Sequence, residues 1–167
     1  MRVAILTVSD TAASGDQADL SGPLLRELVE GAGGTVVCAE VLPDEVDAIA
    51  DWLRRVADDA RVDLALTSGG TGLAPRDVTP EATKAVLDRE APGIAEAIRA
   101  AGLVNTPKAM LSRGVAGVRK ATLIVNLSGS PKAVREQWEA FQPVVEHAVD
   151  TVRGEGSHPE TDAVRQQ

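Results

Sequence analysis

"VDLALTSGGTGLAPRDVTP", residues 62–80, is the stretch that sets the architecture of this chain. A short apolar run stops on Ser68-Gly69-Gly70-Thr71-Gly72, and Pro75, Arg76, Asp77 and Pro80 follow as the helical pattern resumes. The run reads as a buried strand. Glycines directly after it permit positive φ and let a ligand approach the backbone closely. Successive N–H groups in such a turn can form an anion-binding concavity. The loop is not a Walker A motif, because the Gly-Lys-Ser/Thr ending is missing, and it is not GxGxxG, because the glycines fall at 69, 70 and 72. A purely structural tight turn is the competing reading.

Outward from this loop, strand and helix signals alternate. Strands are predicted at 2–9, 35–42 and 122–127, beside the one at 62–68. Residues 19–34 read as a helix with Ser21 as N-cap, Pro23 in the first turn and Gly33 and Gly34 as the stop. Residues 43–60 read as a helix capped by Asp44, 79–90 as one capped by Thr79, and 92–102 as one ending on Gly102. A long helix follows Ser130, with Val134, Trp138, Phe141, Val145, Ala148 and Val152 on one face; Pro143 is expected to kink or split it. Residues 103–121 suggest a short hairpin, and the polar tail 154–167 is expected to be disordered. Alternating strands and helices predict an α/β fold: three α/β/α layers around a mostly parallel, doubly wound sheet, in one domain over 1–153.

Bulk composition narrows the function classes. A 167-residue chain buries roughly 70% of its unfolded surface and needs no disulfide or metal staple. The single cysteine, Cys38, allows no intrachain disulfide and is expected to be a small buried residue. The net charge of −8 argues against nucleic-acid or anionic-membrane partners, and no signal peptide or membrane span is readable, so a cytoplasmic setting is expected.

In doubly wound folds ligands sit beyond the carboxyl ends of the strands. That rule selects the loops 9–20, 43–45, 68–79 and 128–131, which are expected to converge. In "SGSPK", residues 128–132, Ser130 can cap a helix whose free N–H groups and Lys132 favour a second phosphate. Asp10, Asp44 and Asp77 all follow strands. Carboxylates beside phosphates make sense with Mg²⁺ between them. The plainer readings are an N-cap for Asp44, a turn carboxylate for Asp77, and an exposed base for Arg76. His147 and His158 are not spaced as zinc ligands.

The motif "TSGGTGLAPRDVTPEAT" closely resembles the molybdenum-cofactor biosynthesis family that includes molybdopterin adenylyltransferase and the gephyrin G domain. "ILTVSD", "LPDE", "DREAPGIAEAIR", "AMLSRGVAGV" and "LIVNLSGSPKAV" are similar to family segments and follow in family order. The resemblance implies one antiparallel strand in the sheet, a homotrimer, contact with the molybdenum-insertion enzyme, and Mg²⁺-dependent transfer of the adenylyl group of ATP to molybdopterin. By position it implies Asp44 and Asp77 as the catalytic, Mg²⁺-holding acids. Ser68, Gly69, Gly70, Thr71, Gly72 and Arg76 would sit around a phosphate. Ser9 and Asp10 would line the nucleotide pocket; Ser112, Ser128, Gly129, Pro131 and Lys132 would lie on the pterin side. Ser128 stands where the family usually has proline, which is expected to leave that loop more mobile. The alternative is a non-catalytic trimer of the same family that binds molybdopterin or its precursor; a dinucleotide pyrophosphatase is a third reading.

Overall fold

The computed structural model describes residues 1–155. Its centre is a six-stranded sheet in the order β2-β1-β3-β6-β5-β4. The strands are β1 (Arg2–Val8), β2 (Thr35–Leu42), β3 (Leu64–Ser68), β4 (Arg89–Glu90), β5 (Ala116–Arg119) and β6 (Thr122–Leu127). β1, β2, β3 and β6 are mutually parallel, and β5 runs against both of its neighbours. The expected three-layer sheet with a single reversed strand is therefore what forms.

β1, β3 and β6 are apolar on both faces because helices cover both sides. On one side Val3, Ile5, Leu64, Leu66, Leu123 and Val125 pack against α2 (Ser21–Gly31), α5 (Pro92–Asn105) and α6 (Pro131–Arg153). On the other, Ala4, Leu6, Ala65 and Ile124 meet α3 (Val46–Asp58) and α4 (Thr79–Lys84). Trp52 and Trp138 are both core residues. Cys38 lies on the edge strand β2 and is only half-buried, because that strand has one neighbour instead of two.

The departures from expectation have local causes. The predicted helix over 79–90 stops at Lys84, since Asp88 and Ala91 donate their N–H groups to Val118 and Ala116 and are drawn into strand pairing. α5 runs past Gly102 to Asn105. That glycine is not a stop: an added Cβ would lie 2.9 Å from the Ala109 Cβ, so it admits the close approach of a 3-10 turn at Pro107–Leu111. The hairpin expected within 103–121 does not form: the end of α5 and the 3-10 turn fill its first half, and its one strand, β5, pairs with β6 instead. α6 is continuous through Pro143, which lies on its exposed face where water can take up the orphaned carbonyl. The expected disorder of the tail concerns 154–167, of which 156–167 lie outside the described residues.

β1 has β2 on one side and β3 on the other, so the chain reverses its winding direction beside it. The carboxyl ends of β1 and β3 therefore splay their loops apart and leave a crevice.

Candidate active site

A cavity of about 650 Å³ opens at that crevice. All four loops picked from the sequence reach it. Ser9, Asp44, Ser68, Gly69, Gly70, Thr71, Gly72, Asp77, Ser112, Ser128, Gly129 and Pro131 line it. Asp10, Arg76 and Lys132 do not.

The glycine turn forms its floor. Gly69 and Gly70 have φ of 105° and 62°, and an added Cβ at Gly69 would lie 2.1 Å from the Val8 carbonyl oxygen. The turn is strongly polarised. The carbonyl of Gly69 accepts from Thr79 Oγ1 at 2.9 Å. That of Gly70 accepts from Thr79 N at 3.1 Å, and that of Thr71 from Arg113 N at 2.8 Å. Gly72 accepts from Arg113 Nε at 2.7 Å. The N–H groups of Gly70, Thr71, Gly72 and Leu73 have no acceptor among the described residues. A row of free N–H groups over a cavity is a site for oxyanions.

The carboxylates form one wall. Asp44 is not the cap of α3, whose first turn begins after Glu45. Instead it pairs with the loop after β1: Asp10 N donates to Asp44 Oδ2 at 3.1 Å, and Asp44 N donates to Asp10 Oδ1 at 3.0 Å. Burial pushes the Asp44 carboxyl above its ordinary pKa; the Asp10 N–H opposes this, and the charges of Asp10 and Asp77 add to it. Asp77 Oδ2 accepts from Ala74 N at 2.8 Å, which leaves the other oxygen without a partner among the described residues. Arg76 is held outside the cavity by Asp10 and Glu45, with Nη2 at 2.8 Å and 3.1 Å from their oxygens. Its hydrogen bond keeps Asp10 below the usual carboxylate range. Arg76 therefore pairs with Asp10 and Glu45; its charge offsets only part of the rise at Asp44, and neither Asp44 nor Asp77 has an ion-pair partner among the described residues.

The opposite wall is the start of α6. Ser130 caps it, accepting from Ala133 N at 3.3 Å. Lys132 points elsewhere, exposed and 3.8 Å from Glu136. Ser128 does not loosen the loop as expected. Its N–H donates to Gln137 Oε1 at 2.8 Å and its Oγ accepts from Gln137 Nε2 at 2.9 Å. A proline could make neither bond; the buried Gln137 clamps this turn instead.

Several further lining residues escaped the sequence reading, Asp19, Lys108 and Ala109 among them. Asp19, not Ser21, caps α2: its Oδ1 accepts from Ser21 N and Gly22 N, both at 3.0 Å, and its Oδ2 from Thr7 Oγ1 at 2.8 Å. The Asp-x-Ser-Gly-Pro pattern carried that signal. Lys108, in the 3-10 turn, is the one cation among the described lining residues. Ala109 precedes Ser112 on the same wall. Lys108 lies in the segment that the sequence pattern reads as a hairpin and that forms a 3-10 turn instead.

Among the described residues no group of three or more His, Cys, Asp or Glu side chains could enclose a metal. The two carboxylates that flank the glycine turn nevertheless fit Mg²⁺. That ion takes one or two protein carboxylates and completes its shell with water and phosphate oxygens.

Residues 4–147 match the family model described as "Probable molybdopterin binding domain". The chain is 40% identical over 156 residues to the molybdopterin adenylyltransferase of Helicobacter pylori strain J99, covering 92% of this chain and 89% of that one. It is 43% identical over 103 residues, 61% of its length, to the Drosophila melanogaster molybdenum cofactor synthesis protein cinnamon, and spans only 17% of that longer protein. The crystal structure of the molybdopterin biosynthesis enzyme MoaB from Thermus thermophilus superposes with a TM-score of 0.87 at 54% identity, over 92% of this chain and 96% of that one. The chain belongs to the molybdopterin-binding domain family of molybdenum cofactor biosynthesis.

Proposed function

We propose that this protein is a molybdopterin adenylyltransferase acting as a homotrimer on Mg²⁺-ATP. One observation carries the reading: Asp44 and Asp77, without ion-pair partners among the described residues, border the same cavity as a row of free backbone N–H groups. Unpaired negative charge beside an oxyanion cradle is unfavourable alone, and becomes favourable when a divalent cation and phosphates fill the space together. The name of the H. pylori relative agrees with it.

In this reading the N–H groups of Gly70, Thr71 and Gly72 hold phosphate oxygens of the nucleotide. Ser9 lies toward the nucleotide, and Ser112 with the Ser128–Pro131 turn toward the pterin. An oxygen of the pterin's terminal phosphate attacks the α-phosphorus of ATP. The bond from that phosphorus to the β-phosphate oxygen breaks, and pyrophosphate leaves with the electron pair. No general base is required, because the attacking phosphate is already an anion. Asp44 and Asp77 would hold Mg²⁺, which when bound supplies neutralisation of the charge shared by the phosphates. The fixed donors need no reorientation as charge moves to the leaving group, which is where such sites gain most of their rate.

Pyrophosphate release from Mg²⁺-ATP, measured with and without molybdopterin, tests the proposal. Release that depends on the pterin supports it. Retention of the pterin with no release would identify a non-catalytic binding protein.

A further inference from the structure

We propose that Thr79 and Arg113, neither of which lines the cavity, are positioning residues that give the glycine turn its polarity by taking up four successive carbonyl groups from behind. The identity of the anion rests on the adenylyltransferase reading; the polarity argument does not.

The argument begins with the peptide unit. A trans peptide points its C=O and the following N–H in opposite directions, and no cis bonds occur among the described residues. Fixing the carbonyl of residue i therefore aims the N–H of residue i+1. Thr79 takes Gly69 and Gly70 through its hydroxyl and its N–H. Arg113 takes Thr71 through its backbone N–H and Gly72 through Nε. The N–H groups aimed the other way are those of Gly70, Thr71, Gly72 and Leu73, the four left without acceptors.

Both residues are built for this task. Thr79 is fully buried, and a side chain at Gly70 would put its Cβ 2.3 Å from the Thr79 hydroxyl, so glycine and threonine are fitted to each other. Arg113 continues along the loop, with Nη2 2.6 Å from the Asp77 carbonyl oxygen. It thus spans both the floor and the segment that carries the Asp77 carboxylate. Glu81 holds the guanidinium from the far side. A lysine could not reproduce this fork, because its single ammonium cannot reach several carbonyls in fixed geometry.

The test measures ATP affinity by calorimetry in the presence of Mg²⁺, with KM and kcat for pyrophosphate release alongside and thermal melting as a control. Thr79→Val, nearly isosteric, removes only the hydroxyl donor. It is expected to weaken ATP binding about tenfold, the effect of one lost hydrogen bond, and to raise KM more than it lowers kcat. Thr79→Ser keeps the donor and is expected to restore affinity to within about twofold of wild type. Arg113→Lys is expected to lose about tenfold or more although the positive charge is kept. Glu81→Gln leaves every carbonyl contact in place and is expected to change affinity by less than about threefold. Wild-type affinity in Thr79→Val, equal losses in Thr79→Val and Thr79→Ser, or full activity in Arg113→Lys would overturn the proposal. Inorganic pyrophosphate is a second probe. If the wild type binds pyrophosphate but not ATP, the nucleotide assignment fails, and the same variant series then decides the polarity argument on pyrophosphate alone.

Discussion

The two ends of β3 treat charge in opposite ways. At its start, Asp63 is almost fully buried and fully satisfied: Arg2 donates to it from N at 2.7 Å and from Nη2 at 2.8 Å, and Arg153 closes on it from the end of α6. At its finish the chain enters a turn whose N–H groups lack acceptors and whose neighbouring carboxylates, Asp44 and Asp77, have no ion-pair partner among the described residues. Burial alone would raise the Asp63 pKa, but hydrogen bonds from Arg2 and the charges of Arg153 and Arg2 outweigh it and hold the carboxyl low. At Asp44 burial wins and the carboxyl is pushed up. A charge that serves the fold is neutralised by the fold. A charge left uncompensated beside free donors is waiting for a ligand.

Four sets of substitutions break or sharpen that contrast. The largest effect is expected at the open end. Asp44→Asn or Asp77→Asn should lower kcat/KM for pyrophosphate release about a thousandfold, as loss of a key electrostatic element does, with melting temperature unchanged or slightly raised. A matching fall in stability would mean that these carboxylates serve the fold as Asp63 does.

Asp63→Asn should do the reverse. It leaves two guanidinium groups against a buried neutral amide and is expected to cost about 3 kcal/mol of stability by urea denaturation, with kcat of the folded protein intact. Because the native pKa of Asp63 lies below its unfolded value, its stabilisation is present above the ordinary carboxylate range and is lost as pH falls through the native value. Wild-type stability should therefore drop on acidification below about pH 4, and the variant should show a flatter acid limb.

Ser128→Pro is expected to cost about 1–2 kcal/mol, since it strips both partners from the buried Gln137. Adding Gln137→Leu should recover much of that loss, measured as a double-mutant cycle. Arg76→Ala is the mildest case. Its contacts are solvent-exposed, so stability should change by less than about 1 kcal/mol. Activity should fall only severalfold, through a less restrained Asp10.

Much of this is legible in the sequence. The glycines at 69, 70 and 72 mark a turn from sequence because the chemistry of φ is local, and Gly69 and Gly70 do take positive φ. The convergence of four loops is expected from the alternation of strands and helices, since parallel strands bring their carboxyl ends to one edge. Three of the expected site residues lie outside the cavity for a common reason. Asp10, Arg76 and Lys132 sit in the right loops, but the Asp44 N–H, the Asp10 and Glu45 carboxylates and Glu136 decide where they point. Arg113 and Gln137 escaped notice because one lies in an irregular segment and the other on a helix that reads as packing.

The alternation of strands and helices, the apolar faces and the polar turns at strand ends are properties of neighbouring residues, and the amino-acid order by itself determined them. Which carbonyls are occupied, which carboxylates stay unpaired and which arginine is tied off are relations between groups far apart in the chain; Arg76 and Asp10 are 66 positions apart. No local pattern encodes such a distance; it exists only once the sheet has closed and hydrogen-bond geometry has selected among the available partners.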